Sequence, residues 1–221
     1  MKGRIDPATL REMAGLLADA DRDEMAIPSY LHKNPALRWM AWRRVELVAQ
    51  GIDQHLPEGG RALDFGCGSG VLFGQASARA SRVYGADLVL DAAALWKQRQ
   101  GLENVELLRP DEIPNRIAAH SLDLVIAAEV LEHVDLLAPV LTQFTELLRP
   151  QGVLLVSLPT ENRLYRLGRR LAGFHGHYHH ANARSIDREI SAAGFQRKSL
   201  RSIPGPGPLS VYWVMAYQPG A

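Results

Sequence analysis

Three glycines within five residues, Gly66, Gly68 and Gly70, form the part of this sequence best suited to bind a ligand. They follow a short apolar run that contains Asp64 and is typical of a buried parallel strand. Glycine lets the backbone turn tightly and lets a ligand approach without a Cβ atom in the way. The segment therefore predicts a turn that binds a nucleotide-like molecule, with Cys67 as a small residue that fills it.

A second acid supports this interpretation. Asp87 lies 23 residues after Asp64, at the end of the next strand-like stretch, residues 82–87. In a βαβ unit this position lies beside the first glycine turn, where a carboxylate accepts both ribose hydroxyls. Nicotinamide-dependent oxidoreductases share both features, but their fingerprint is G-x-G-x-x-G, whereas this turn reads G-x-G-x-G. The shorter spacing argues against that class, which stays an alternative.

Two motifs resemble those of the class I S-adenosylmethionine-dependent methyltransferases. Residues 64–70, DFGCGSG, resemble the first motif of the family, and residues 122–134, LDLVIAAEVLEHV, resemble its fourth strand and the following loop. The resemblance implies an α/β, doubly wound, Rossmann-like sheet of seven strands with an antiparallel C-terminal pair. It also implies transfer of the methyl group of S-adenosyl-L-methionine to a small or lipid-like acceptor, with O-methylation favoured. A cofactor-binding protein without turnover is the alternative.

The resemblance further implies roles for residues around the cofactor. The methionine part would lie against the glycine turn, the ribose on Asp87 and the adenine on Leu88. Asp111 resembles the acid that meets the adenine amino group, although a turn residue after a proline explains it as well. Glu129 would face the ammonium and sulfonium, unless it only begins a helix. The predicted cofactor-binding residues are Arg38, Asp64, Gly66, Cys67, Gly68, Asp87, Leu88, Asp111, Ala128 and Glu129.

An arginine before the core completes this set. Residues 32–38, HKNPALR, resemble the stretch that precedes the core in ubiquinone-pathway O-methyltransferases. The resemblance implies that Arg38 binds the cofactor carboxylate, because a guanidinium can bond a carboxylate through two parallel hydrogen bonds. An exposed helix arginine is the alternative.

Histidines are the candidate catalytic residues. His133 lies in the loop after the fourth strand, and an imidazole titrates near neutral pH, so it could serve as a general base or only fix the loop. Four of the eight histidines fall within residues 174–180, FHGHYHH. Substrate contact or proton transfer through His177 and His180, metal binding and a structural loop all stay open there. Because neither cysteines nor an H-E-x-x-H pattern accompany them, we predict no metal site.

Residues 161–174, between the fifth strand and these histidines, form a predicted basic amphipathic helix. Its arginines fall on one arc and its leucines and phenylalanine on the other. We favour a surface helix over the active site. Peripheral contact with an anionic membrane, or with a lipid-like or acidic substrate, is the alternative.

Alternating strand and helix patterns from residue 61 to 158 predict the doubly wound core. We expect a helix over residues 70–80, a later helix capped by Asp135, and a fifth strand from Gly152. The predicted organisation is a helical cap over residues 1–58 and a core over 59–221, with a substrate-facing insertion at 159–184.

Composition is that of a water-soluble globular protein. The 221 residues are 47% hydrophobic and 22% charged, without an apolar run long enough to span a bilayer. A net charge of +1 argues against a dedicated nucleic-acid surface. The single cysteine and the lack of an apolar N-terminal segment predict a cytoplasmic location. The sequence makes no prediction about oligomeric state.

Overall fold

The computed structural model describes residues 4–18, 26–160, 182–207 and 209–220, which form a seven-stranded sheet with helices on both faces. This confirms the predicted α/β class. The strands are β1 (Arg61–Phe65), β2 (Arg82–Ala86), β3 (Val105–Leu108), β4 (Leu122–Ala128), β5 (Leu148–Pro159), β6 (Phe195–Ile203) and β7 (Tyr212–Pro219). The helices are α1 (Pro7–Leu16), α2 (Ile27–Tyr30), α3 (Pro35–His55), α4 (Phe73–Ser77), α5 (Asp91–Gln100), α6 (Ile113–Arg116), α7 (Leu137–Leu147) and α8 (Ala183–Ala192).

The strand order is β3-β2-β1-β4-β5-β7-β6, and β1 is the strand from which the chain winds in both directions. Strands β1 to β5 are parallel, whereas β7 runs antiparallel to both β5 and β6, as predicted for the C-terminal pair. Phe65 at the end of β1 pairs with Ala86 of β2 and with Ala127 of β4. The carboxyl ends of these three strands are therefore level. In open α/β sheets, ligands bind at the carboxyl ends of the strands where the strand order reverses, which here is beside β1.

Two hydrophobic clusters cover the two faces of the sheet. Side chains alternate between faces along β1, so that Ala62 belongs to one cluster and Leu63 to the other. The first cluster takes in helices of the N-terminal half and buries Phe73 completely. The second is filled by α7 and α8, where Phe144 and Ile186 are completely buried. With both faces covered, only the strand ends are open to a ligand.

Helix α3 begins with an asparagine cap and packs closely on the sheet. The Asn34 side chain accepts a hydrogen bond from the Ala36 amide at 2.9 Å, and proline takes the first helical position. Ile52 is fully buried, and a Cβ atom at Gly51 would lie 2.8 Å from the side chain of Leu155 on β5. The glycine therefore allows the helix to approach the sheet, and α3 forms part of the core.

Three predicted boundaries are wrong. The helix expected over residues 70–80 spans only Phe73–Ser77, because Gly70 is left-handed and belongs to the preceding turn. Asp135 does not cap α7, whose N-cap position is Leu136 without a side-chain cap. Strand β5 begins at Leu148 rather than at Gly152, since Leu148 pairs with Leu122 of β4.

In the ranges that the structure describes, no helix has both the length and the apolar character needed to cross a membrane.

Candidate functional site

A cavity of about 350 Å³ opens at the level carboxyl ends of β1, β2 and β4. The glycine turn after β1 and the loops after β2 and β4 form its floor and sides. Helices α2 and α3 contribute Tyr30, Arg44, Val45 and Val48 to its lining. The N-terminal segment thus supplies part of the site as well as packing on the sheet.

The glycine turn is held in a conformation that other residues would strain. Gly66 and Gly68 have φ values of 73° and 50°, in the left-handed region. A Cβ atom at Gly66 would lie 2.4 Å from a methyl carbon of Val130, so glycine is needed there for packing. At Gly68 a Cβ atom would meet nothing within 4 Å and would project into open space beside the cavity. Gly68 therefore leaves room for a ligand to approach the backbone.

Asp87 joins the end of β2 to this turn. Its carboxylate accepts hydrogen bonds from the amide of Gly68 at 2.7 Å and from the amide of Leu88 at 2.7 Å. The Oδ1 atom also accepts a longer bond from the Val89 amide at 3.4 Å, so the second lone pair of Oδ2 is the one left to accept a hydroxyl donor from a ligand. The Leu88 side chain beside it is 66% exposed at the cavity edge and offers an apolar surface.

Asp64 is a buried carboxyl group at the bottom of the cavity, with a residue exposure of 2%. Burial raises the pKa of this carboxyl from 3.8 to about 7, and the charge of Asp87 adds to the rise. Within the described part of the chain, none of the hydrogen bonds involves the Asp64 side chain. A buried carboxylate without a partner is costly, so a cationic ligand group beside it would be strongly favoured.

The only cation that lines the cavity in the described ranges is Arg44, on α3. Its guanidinium donates to the Glu129 carboxylate at 2.9 Å and lies 5.1 Å from the centre of the Tyr212 ring. Burial alone would lower the pKa of Arg44, but the Glu129 carboxylate and the neighbouring Tyr30 and Tyr212 raise it overall. Arg44 is therefore a permanently charged group inside the cavity.

Glu129 is fixed by three hydrogen bonds to two other segments, α3 and β5. Besides Arg44, the buried Ser157 hydroxyl of β5 donates to its carboxylate at 2.8 Å, and its own amide donates to the Ser157 carbonyl at 2.9 Å. Its φ of 58° is left-handed, which is uncommon for a residue with a side chain. The expectation that Glu129 might be a solvated helix-starting residue is thus wrong, because it is paired and lines the cavity.

The structure brings most of the predicted site residues together. His133 lies in a 3-10 turn, Leu131–His133, on an exposed part of the cavity rim. Burial raises the pKa of the Cys67 thiol well above its ordinary value, consistent with a residue that only fills the turn. The predicted residues that line the cavity are Asp64, Gly66, Cys67, Gly68, Asp87, Leu88, Ala128, Glu129 and His133.

Two predicted residues lie elsewhere. Arg38 is exposed and donates to the His32 carbonyl at 2.9 Å, so the structure does not place it in the cavity. Asp111 has a side chain 84% exposed, 3.9 Å from Arg109, and only its neighbour Pro110 lines the cavity. Its role toward the adenine stays a prediction.

Three further predictions fall outside the described residues. They concern His177, His180 and the basic helix over residues 161–174.

Sequence reasoning missed Arg44, although the sequence carries a signal for it. Arg44 falls on the buried stripe of α3 that also contains Ala41, Val45 and Val48. A charged residue within an apolar stripe must find a partner or a ligand. Arg38 lies on the exposed side of the same helix, six residues earlier.

Comparison with known proteins identifies the family. A family described as "Methyltransferase domain" matches residues 37–200. The ubiquinone biosynthesis O-methyltransferase of Cereibacter sphaeroides is 28% identical over 163 residues, which are 72% of this chain and 66% of that protein. The chain thus spans just under two thirds of the length of this relative.

Two solved structures share the fold. One is the N-methyltransferase NodS of Bradyrhizobium japonicum in complex with S-adenosylhomocysteine, with a TM-score of 0.66, 18% identity, and coverage of 96% of this chain and 99% of that one. The other is the [4+2]-cyclase SpnF, with a TM-score of 0.65, 16% identity, and coverage of 84% and 83%. Together with the family match over residues 37–200, the fold shows that the chain belongs to the class I S-adenosylmethionine-dependent methyltransferases.

Proposed function

We propose that this protein transfers the methyl group of S-adenosyl-L-methionine to an oxygen atom of a small or lipid-like acceptor. The observation that carries the proposal is the cavity at the ends of β1, β2 and β4, where Gly68 leaves space beside the carboxylate of Asp87. The preference for oxygen rests on the relative from Cereibacter sphaeroides, whose name is that of an O-methyltransferase.

The residues present fit the cofactor, group by group. Asp87 would accept the ribose hydroxyls, and Leu88 would cover the adenine. Arg44 supplies a charge for the carboxylate of the methionine part, the task that the sequence assigned to Arg38. The buried carboxyl of Asp64 would stabilise the ammonium of the same part.

Methyl transfer requires little more of the protein than that it position the cofactor and the acceptor correctly. When bound, S-adenosylmethionine supplies an electrophilic methyl group on a sulfonium. The cavity would hold the cofactor so that an acceptor can approach the methyl group in line, and such positioning alone can supply much of the rate enhancement. His133 at the rim could take a proton from an acceptor hydroxyl, because an imidazole titrates near neutral pH.

Cofactor binding is tested by calorimetry with S-adenosylmethionine and S-adenosylhomocysteine. Asp87→Ala should weaken binding of both by about 100-fold, because it removes the ribose acceptor and releases the amide of Gly68. Glu103→Ala is the matched control, since it removes an exposed acid that does not line the cavity. Unchanged affinity in Asp87→Ala, or no heat with the folded wild-type protein, would show that the cavity has another ligand.

Turnover needs a separate test, because one protein of the same fold is named a cyclase. Purified protein, S-adenosylmethionine and a cell extract should yield a product heavier by one methylene unit in mass spectrometry. Cofactor binding without such a product, over a wide choice of extracts, would favour a binding protein that does not turn over.

A further inference from the structure

Arg44 and Glu129 are joined by a single hydrogen bond in the wall of the cavity. The guanidinium Nη1 donates to Oε2 of Glu129 at 2.9 Å, and among the described residues Glu129 is the only hydrogen-bond partner of this guanidinium. An arginine and a carboxylate frequently pair through two parallel hydrogen bonds instead. Because a guanidinium has five N–H donors in a planar fork, the single bond leaves most of them for a ligand.

The hydroxyl of Ser157 explains why the second bond does not form. Ser157 lies on β5, is fully buried and does not line the cavity. Its hydroxyl donates to Oε1 of Glu129 at 2.8 Å, so the two oxygens of this carboxylate have different partners. The terminal torsion of a glutamate side chain is otherwise broad, and this bond therefore fixes the plane of the carboxylate. Oε1 is directed toward β5, and Arg44 meets Oε2 alone.

The main chain holds Glu129 independently of the Ser157 hydroxyl. The Glu129 amide donates to the Ser157 carbonyl at 2.9 Å, and the preceding Ala128 pairs with Ser157 in the parallel ladder of β4 and β5. Loss of the hydroxyl would therefore leave the backbone in place and free only Oε1 of the carboxylate. That oxygen would then accept a second N–H of Arg44, and the fork would close on Glu129 instead of on a ligand.

We infer that Ser157 is a positioning residue, which limits Glu129 to one bond with Arg44 and so keeps the other guanidinium donors available for the carboxylate of the cofactor. The inference rests on the proposed function, because it assumes a ligand with an amino-acid end in this cavity. Ser157 does not touch that ligand, since it lies outside the cavity lining. Its hydroxyl acts on the ligand through Glu129 and Arg44.

Two ligands separate this role from a general loss of packing around β5. S-adenosylhomocysteine carries the amino-acid end, whereas 5′-methylthioadenosine keeps the adenosine and the sulfur but lacks the carboxylate and ammonium. If the Ser157 hydroxyl acts through Arg44 on the ligand carboxylate, its loss weakens binding of the first ligand and not of the second. A packing defect would weaken binding of both ligands equally.

The experiment measures both dissociation constants by calorimetry for the wild type, Ser157→Ala and a matched variant, Ser121→Ala. Ser121 is also a buried serine, but its hydroxyl donates to the Ala118 carbonyl at 2.6 Å, away from the pair of Glu129 and Arg44. We expect Ser157→Ala to bind S-adenosylhomocysteine about tenfold more weakly, the size of one lost hydrogen bond to a charged group, with 5′-methylthioadenosine unchanged. Ser121→Ala should leave both constants unchanged.

A second variant isolates the path through the guanidinium. Arg44→Lys keeps a positive charge beside Glu129 but has no planar fork that could close on both carboxylate oxygens. Adding Ser157→Ala to Arg44→Lys should therefore cause no further loss of affinity for S-adenosylhomocysteine. Ser157→Cys keeps a similar volume and a weaker donor, so it should lose less affinity than Ser157→Ala, and it serves if that variant folds poorly.

Three results would overturn the inference. They are equal losses for both ligands, a loss in the double variant that adds to that of Arg44→Lys, and unchanged affinity for S-adenosylhomocysteine in both Ser157 variants. Failure of the wild type to bind either ligand would instead overturn the proposed function.

Discussion

Asp64→Asn should stabilise the unliganded protein at neutral pH while weakening its hold on the cofactor. The wild-type carboxyl is buried beside Asp87, and its pKa rises from 3.8 to about 7 on folding. Between these two values the folded state binds more protons than the unfolded state. The stability that this group contributes is therefore complete below pH 3.8 and is lost as the pH rises through about 7.

The size of the effect follows from the two pKa values. Relative to low pH, the stability lost through Asp64 is roughly 2 kcal/mol at pH 5, where only the unfolded state ionises, and roughly 4 kcal/mol at pH 8, where both states do. Asparagine occupies nearly the same volume and cannot ionise. The free energy of unfolding of Asp64→Asn, relative to wild type, should therefore increase by roughly 2 to 3 kcal/mol between pH 5 and pH 8.

Urea unfolding of both proteins at pH 5 and pH 8 measures this change, because titrating groups that do not interact with Asp64 cancel in the comparison. Asp111→Asn provides the control, since its exposed side chain should give the same difference from wild type at both values. A gap between wild type and Asp64→Asn that does not widen with pH would refute the assignment of Asp64 as the buried acid that titrates near neutrality.

The same titration links cofactor binding to pH. If the ligand ammonium pairs with ionised Asp64, binding releases the proton that the unliganded carboxyl holds below pH 7. The affinity of the wild type for S-adenosylhomocysteine should then rise about tenfold from pH 6 to pH 8, whereas Asp64→Asn should bind weakly with little dependence on pH. Calorimetry in buffers of different ionisation enthalpy would count the released proton.

The remaining predictions concern the turn, the Glu129 anchor and the rim. Gly66→Ala should lower the free energy of unfolding by more than about 2 kcal/mol in urea titrations, because its Cβ would overlap Val130. Gly68→Ala should lower the free energy of unfolding by only about 1 kcal/mol, and its main effect should be weaker cofactor binding in calorimetry. Ser157→Ala should destabilise by about 1 to 2 kcal/mol in the same titration, since it removes a buried donor to the Glu129 carboxylate; an unchanged midpoint would count against that bond. His133→Ala should leave the melting temperature and the S-adenosylhomocysteine affinity unchanged but lower kcat at neutral pH, once an acceptor is known, if the imidazole removes a proton.

Short-range sequence patterns predicted the half of the site that the first βαβ unit forms. The strand before Gly66, the left-handed glycines and the acid at the end of β2 all belong to one βαβ unit, whose geometry is set by short-range rules. Asp64, Gly68 and Asp87 could therefore be placed from spacing alone, and they line one cavity. The same alternation of elements predicted the parallel, doubly wound core over residues 61–158, whereas the antiparallel C-terminal pair was implied by the family resemblance.

The other half depends on contacts between distant segments, which spacing does not reveal. Arg44 and Glu129 are 85 residues apart, and Tyr212 comes from the last strand. A motif resemblance placed the cavity arginine at Arg38, but helix phase decides which arginine faces the sheet. Arg38 falls on the exposed side, while Arg44 shares the buried stripe of α3.

The position of α3 also explains why an arginine there can serve the cofactor reliably. Ile52 on this helix and Leu56 directly after it are buried to 1% exposure or less, so the helix cannot move away from the sheet without exposing its apolar face. The backbone that carries Arg44 is thus part of the rigid core, and only the side chain has freedom to choose its direction. Breaking the buried pair with Glu129 would leave an unpaired charge, which is strongly destabilising. The guanidinium therefore stays near Glu129 whether or not a ligand is present. Glu129→Gln should accordingly lower both the free energy of unfolding, in a urea titration, and the calorimetric affinity for S-adenosylhomocysteine, because it removes the partner that holds Arg44 in the cavity.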